Sequence, residues 1–433
     1  MNVIVPLGGV GSRFQKEGYL KPKPFVRVLG KEMLLWVLDS LKLESKDTLV
    51  IVYNPKFLDM KTSMEIVADS WPGVVLVELP RPTLGAAETV RFGLEALDKA
   101  TLSRPCMLVD GDTFYTCDIV GKFRAVVNTK YAGASFVFKD TQTKPIYSYV
   151  TIPRYVHNDF SIENIVEKVK ISDWANTGCY CFRNGNELLS YCSKIIDRGE
   201  TQLSQDMKGE FYTSGVIKAM LDEADIPFEA IILNKNDMYV LGTPNQIVDF
   251  CHKWKSPQAY RFCFDIDNTL FTSPTIPGAY HTCKPIPRTI NFLKQVHAAG
   301  HYIILGTARR MRTHGGNTGA VIADIGAVTL KSLEDAEIPY HEIHFGKPWA
   351  QFYIDDHGIN AFTDLEKELG FYLPVKTPAI PSKYTVPPKG SIANIATQKD
   401  KQAIHRRTLL AVAFGTYAAV LTLLVLRGSM RSH

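Results

Sequence analysis

Short apolar runs separated by stretches of helical spacing recur along the first 250 residues. Val3–Leu7, Leu49–Tyr53, Val74–Leu79 and Met107–Val109 are brief, rich in β-branched residues and apolar at nearly every position, the pattern of strands covered on both faces. Between them, Met33–Leu43, Phe57–Ser70 and a stretch from the 81–88 loop to about Lys99 carry apolar residues at helical spacing. Strands alternating with helices long enough to cross over predict a mostly parallel sheet, with any ligand at the strands' carboxyl ends. Gly178–Phe182 reads as a further strand whose Cys179 and Cys181 face one side of the core.

A polar, Pro-containing joint at 253–259 precedes a second alternation: strand Tyr260–Phe264, helix Pro287–Ala299, strand His301–Leu305 and strand Phe352–Ile354. The chain is therefore expected to be α/β, with one α/β domain over 1–252 and another over 260–370. Five prolines between 374 and 388 predict an extended linker over 371–405. The nineteen uncharged residues 408–426 have, at about 1.5 Å per helical residue, roughly the length of a bilayer core. With Arg406, Arg407 and Arg427 on their flanks they predict one transmembrane helix, a tail anchor leaving both domains on the cytosolic side. A mitochondrial outer-membrane, peroxisomal or endoplasmic reticulum address all fit.

Composition changes this picture little. In 433 residues, 45% hydrophobic and 21% charged content exclude wholesale disorder, and 49 basic against 44 acidic residues are too balanced to imply a nucleic-acid partner. Eight cysteines without C-x-x-C pairs or His spacings argue against a zinc site and a disulfide scaffold. The amino terminus shows no signal peptide. Oligomeric state is not readable.

The candidate chemistry lies at strand ends. After Val3–Leu7 come Gly8, Gly9, Gly11, Ser12 and Arg13, then Lys23 between prolines. Glycines remove Cβ atoms where backbone amides must approach a triphosphate, and Arg13 and Lys23 supply charge for a polyanion. The spacing matches neither the P-loop nor the dinucleotide fingerprint. Thr83, Gly85 and Ala86 open a helix at another strand end, either as a close-packed helix start or as a flat surface for a nucleobase. Asp110 and Asp112 flank Gly111 at the end of Met107–Val109, where two carboxylates would repel unless a divalent cation, Mg²⁺ by expectation, sat beside them.

These motifs, with Glu167-Lys168, Asn176 to Gly178 and Gly242-Thr243 following in order, resemble the sugar-nucleotide-forming nucleotidyltransferases, which have a GT-A/Rossmann-like fold. The resemblance implies that Arg13 and Lys23 stabilise the α-phosphorus and the pyrophosphate leaving group, that Asp112 holds Mg²⁺, and that Thr83, Gly85 and Ala86 contact the base. It further implies that Glu167, Lys168, Asn176 and Gly178 contact a sugar or alcohol phosphate. Many relatives carry a second metal-binding aspartate where this chain has Val240, and Asp237 is out of register. Asp110-x-Asp112 also suits a GT-A-type glycosyltransferase, and Val240 a non-catalytic metabolite-sensing scaffold at a membrane.

In the second half, Asp265 and Asp267 end a strand with side chains able to point the same way, one to attack and one to move protons. With Thr307, Lys347 and Asp355-Asp356 they resemble haloacid dehalogenase-like phosphatases, with little or no cap because only about fifteen residues separate Leu270 from Pro285. That resemblance makes Asp265 the nucleophile and Asp267 the acid and base. It gives Thr307 and Lys347 the phosphoryl oxygens, and Asp355 or Asp356 the Mg²⁺ beside Asp265. Arg309, Arg310 and Arg312 could read further anionic groups or form a solvated face. The expectation is a bifunctional enzyme: nucleotidyl transfer from an NTP to a small phosphorylated metabolite, and phosphatase activity through an aspartyl-phosphate.

Overall fold

Strand Asn2–Leu7 pairs in parallel with Thr48–Tyr53 on one side and Cys106–Val109 on the other, and Val75–Glu78 extends the parallel half. Its alternate residues serve two cores. Val3, Val5 and Leu7 pack with the helix Met33–Ser40, while Ile4 packs with Val90 and Leu94 of the helix Ala86–Glu95. Burial on both faces is what the unbroken apolar run requires. The computed structural model describes residues 1–56, 60–153, 160–203, 209–224, 226–355 and 357–373. The stretch 408–426, the linker beyond 373 and Asp356 lie outside the described residues. Among the described residues no helix is long and apolar enough to cross a membrane.

The sheet has nine strands. Trp174–Phe182 runs antiparallel to Cys106–Val109 and to Gly133–Lys139, and Ser148–Thr151, Asn164–Glu167 and Phe228–Ile232 complete it. A register shift between Asn176 and Tyr180 bends Trp174–Phe182 beside the end of Cys106–Val109. A small ribbon, Thr113–Tyr115 with Met238–Val240, then carries Gly242 back to Asp112. The first predicted helix stops at Ser40 rather than Leu43, because Leu41 is extended and the Ser40 hydroxyl donates to the Val37 carbonyl.

The second sheet has three parallel strands, Arg261–Asp265, Tyr302–Gly306 and Glu342–His344. The expected strand Phe352–Ile354 does not form: its side chains are 86%, 54% and 100% exposed, and no strand of the sheet pairs with it. An apolar run specifies a strand only where a partner edge and a covering layer receive it.

Met1–Pro374 is one compact unit. Phe371, 1% exposed, lies 4.9 Å from the His301 ring and 5.5 Å from Phe262, ring centre to ring centre. A Cβ on Gly30 would sit 3.0 Å from Phe371 and 2.8 Å from Tyr260, so only glycine lets the first half close on this aromatic group. His301 is buried; its Nδ1 accepts from the Tyr260 N–H at 3.1 Å, and burial lowers its pKa from the ordinary 6.5. Protonation would set a second N–H against that of Tyr260. Since the unfolded chain takes up the proton and the folded one resists it, His301 lowers stability as pH falls from about 6.5 toward its depressed value. In urea unfolding, wild type should lose more stability than His301→Gln over that range; parallel pH profiles would refute the burial effect.

Candidate active site

The opening loop turns on Gly11, whose φ of 64° is left-handed and whose Cβ would lie 2.9 Å from Lys23 Cβ. It starts the one-turn helix Ser12–Lys16, anchored by buried Phe14. Pro22 and Pro24 frame the short turn Lys23–Phe25, which sends the Lys23 ammonium onto the Asp112 carboxylate. Gly8 is needed for closeness: a Cβ there would strike the paired hydroxyls of Thr83 and Thr89.

Asp110 and Asp112 leave the strand Cys106–Val109 beside this loop, and two glycines face them. The Asp110 N–H donates to the Gly178 carbonyl at 3.0 Å. Gly178 has φ 89°, and a Cβ on it would collide with the Asp110 carboxylate. A Cβ on Gly242 would lie 2.7 Å from Asp112 Oδ2, and the Leu241 N–H donates to the Asp112 carbonyl at 2.7 Å. Burial and the neighbouring Asp112 charge push the Asp110 carboxyl up to about 8. Burial also raises Asp112, but Lys23, the Thr113 hydroxyl and Arg13 outweigh it and hold Asp112 below its ordinary value. The result is a cavity of about 360 Å³ walled by both aspartates, Arg13, Lys23, Thr177 and Gly178, together with Val240, Gly242, Thr243 and Gln246.

The remaining expected residues divide. Glu167 is fixed by hydroxyl donation from Ser148 at 2.5 Å and Ser214 at 2.9 Å, and its charge helps raise Asp110. Lys168, with a left-handed φ of 53°, lies 3.8 Å from Glu167 and over the Tyr212 ring. Asn176 does not reach the cavity: its side chain is buried, accepting from the Gly178 N–H and donating to Ser135. Gly85 is occupied as well, because a Cβ there would strike the Phe211 backbone, whose N–H and carbonyl bond Leu84 and Ala87. Its missing side chain serves packing. Asp237 caps its own turn, accepting from the Asn234 N–H at 3.2 Å, so it is no substitute for Val240. Thr113, Tyr147, Thr177 and Gln246 line the cavity without having been singled out; the Gly242-Thr243 motif is the sequence signal that leads to Gln246, on the helix Thr243 caps.

At the second sheet, Asp265, Thr307 and Lys347 converge. Lys347 Nζ is 2.8 Å from Asp265 Oδ1, and Thr307 is fully buried, its N–H donating to the His344 carbonyl. Arg309 is a core residue, neither solvated nor an outer anion reader. Its Nε is 2.8 Å from Asp267 Oδ1, its Nη1 donates to Thr329, and the Tyr280 ring covers it. Arg310 pairs with Asp324, and Arg312 lies over Trp349. Burial raises the Asp267 carboxyl, and Arg309 only partly offsets this. Asp355 is exposed and accepts from the His357 N–H, and no cluster of three metal-ligating side chains forms among the described residues. Asp355 therefore does not join Asp265, since the strand meant to deliver it is not in the sheet, and the alternative ligand Asp356 lies outside the described residues.

A glycine loop, two basic side chains and two half-buried carboxylates at neighbouring parallel strand ends define an α/β protein built to hold a phosphorylated nucleotide. The chain belongs to the nucleotidyl transferase family, whose profile matches residues 2–222. This favours nucleotidyl over glycosyl transfer. Among solved structures, a nucleoside-diphosphate-sugar pyrophosphorylase from Vibrio cholerae RC9 is similar at 21% identity and TM-score 0.48, over 57% of this chain and 98% of that one. An inositol-1-phosphate CTP transferase from T. maritima (14%, TM-score 0.42, 57% and 90%) and a CTP:phosphocholine cytidylyltransferase from Streptococcus pneumoniae (14%, TM-score 0.43, 57% and 96%) are similar over the same share of the chain. No curated protein matches it.

Gly178→Ala should displace Asp110 and cost about 1–2 kcal/mol of backbone strain. Nucleotidyl-transfer turnover is expected to fall at least ~10-fold with the circular dichroism spectrum retained. Wild-type turnover in the alanine variant would show that Gly178 does not set the position of Asp110.

Proposed function

We propose that the first site transfers a nucleotidyl group from an NTP to the phosphate of a sugar phosphate or phospho-alcohol, releasing pyrophosphate. The observation that carries this is Lys23 bound to Asp112 at the mouth of a cavity that Arg13 also lines. In the reaction an acceptor phosphate oxygen bonds to the α-phosphorus while the bond to the β-phosphate oxygen breaks. Negative charge passes from the attacking oxygen to the departing pyrophosphate, with more of it on the equatorial oxygens of that phosphorus in transit. Arg13 and Lys23 are the groups of this chain able to meet it, and a sugar-transferring enzyme has no need of such a pair facing a triphosphate.

The donor set suits Mg²⁺. Asp110 and Asp112 offer hard carboxylate oxygens on the cavity wall, and Mg²⁺ is commonly held by one or two carboxylates together with substrate phosphates. When bound, it would neutralise triphosphate charge. Glu167, held by Ser148 and Ser214, and Lys168, over the Tyr212 ring, are in this reading the pair that meets the acceptor phosphate. Lys23→Ala and Asp112→Asn should each lower pyrophosphate release at least ~10²-fold, with folding intact by urea titration. Near-normal release in both, across the four NTPs and a panel of sugar 1-phosphates and phospho-alcohols, would remove this reading.

A second reading concerns the other sheet, and it is favoured by Asp265, Asp267, Thr307 and Lys347 meeting at one edge. There the Asp265 carboxylate attacks a phosphomonoester, the alcohol leaves with the proton of Asp267, and Asp267 then takes a proton from the water that opens the aspartyl-phosphate. The raised Asp267 carboxyl supports the acid role. Asp265→Asn should abolish hydrolysis of p-nitrophenyl phosphate while Asp112→Asn leaves it intact. Persistent hydrolysis in the Asp265 variant would leave this edge as a binding surface.

A further inference from the structure

The family profile ends at residue 222, yet the loop it opens on is held from outside it. Asp364 caps the turn Leu365–Leu369, and Gly370 reverses the chain at φ 70°. A Cβ on Gly370 would collide with the Arg27 carbonyl, so the chain meets the hairpin Arg27–Glu32 backbone to backbone. There the N–H groups of Leu29 and Gly30 donate to the carbonyls of Gly370 and Leu369, both at 2.9 Å.

On either side of that crossing, two side chains reach the catalytic loop. Lys367 Nζ donates to the Glu17 carbonyl at 2.6 Å, at the carboxyl end of the helix Ser12–Lys16, where orphan carbonyls and the helix dipole both favour a cation. The Tyr372 hydroxyl meets that of Tyr19 at 2.5 Å. The Tyr19 ring stands edge-on to Phe14 at 5.1 Å, and Phe14 adjoins Arg13. The opposite wall is engaged too. The Cys251 thiol donates to the Gly370 carbonyl at 3.2 Å, from the helix Pro244–Lys253 whose cap, Thr243, lines the cavity.

A five-residue helix has no stability of its own, so the direction of Arg13 depends on what packs against Phe14 and the helix end. We propose that residues 365–372 form a strap that positions Arg13 and Lys23 for nucleotidyl transfer, with Lys367 and Tyr372 as positioning residues. This rests on the reading of the first site given above. The strap's hydrogen bonds go to Glu17, Tyr19, Leu29 and Gly30, residues of the loop and its hairpin, so its loss acts on turnover more than on the acceptor.

The test uses the full chain with Lys367→Met, Lys367→Arg and Tyr372→Phe. Pyrophosphate release and hydrogen exchange of the residue 12–19 amides are both measured. Lys367→Met and Tyr372→Phe should lower kcat about tenfold with acceptor KM within about twofold, and should speed exchange at Glu17–Tyr19. Lys367→Arg, which keeps a cationic donor, should restore both. Unchanged exchange in Lys367→Met and Tyr372→Phe overturns the strap, and faster exchange with unchanged kcat overturns its positioning role. A wild type releasing no pyrophosphate removes the function proposed for the first site instead, and the exchange rates still decide whether the loop leans on the strap.

Discussion

Two carboxylates half-buried at the end of one strand make an unstable arrangement, and much of the first half exists to make it tolerable. Asp110 and Asp112 repel each other in a setting where burial penalises both charges. The chain answers by bringing Lys23 onto Asp112 and Arg13 close behind it, and by lining both acids with glycines so that no side chain intervenes. Parallel register sets this up, since Asn2–Leu7 and Cys106–Val109 pair from their first residues and must release their loops side by side. A cation on those carboxylates and a polyanion on those basic groups are then complementary demands on one cavity.

How much of this was legible depended on whether the signal was local. The opening strand, its glycine loop and Asp110-Gly111-Asp112 could be read because a doubly covered strand leaves an unbroken apolar run with its functional residues just beyond it. Gly85 allowed two readings, a packed helix start or a nucleobase surface, and its missing Cβ is filled by the Phe211 backbone, 126 positions along the chain, which no local pattern announces. Asn176 was no easier to read: its amide is consumed in holding the bend that presents Gly178. Arg309 sits in what reads as a surface charge run, yet a buried carboxylate and the Tyr280 ring accommodate it. Phe352–Ile354 shows the converse, with strand-like composition and no edge to join.

The two sheets share one hydrophobic cluster, in which Val28 and Leu29 of the first half stand with Phe264 and Phe371 of the second. The residues that make the union possible belong to neither site. In the fold Gly30 and Gly370 each occupy a left-handed conformation, and each faces the other half at a separation no side chain could survive. A large residue at either would force the halves apart and leave the Arg27–Glu32 hairpin, which follows Lys23 directly, without its backbone partners. Because interiors close-packed in this way transmit displacement rather than absorb it, the geometry around Lys23 depends on residues some 340 positions away in the chain. The seam is therefore part of what aims the first site, even though the segment that matches the family stops well short of it.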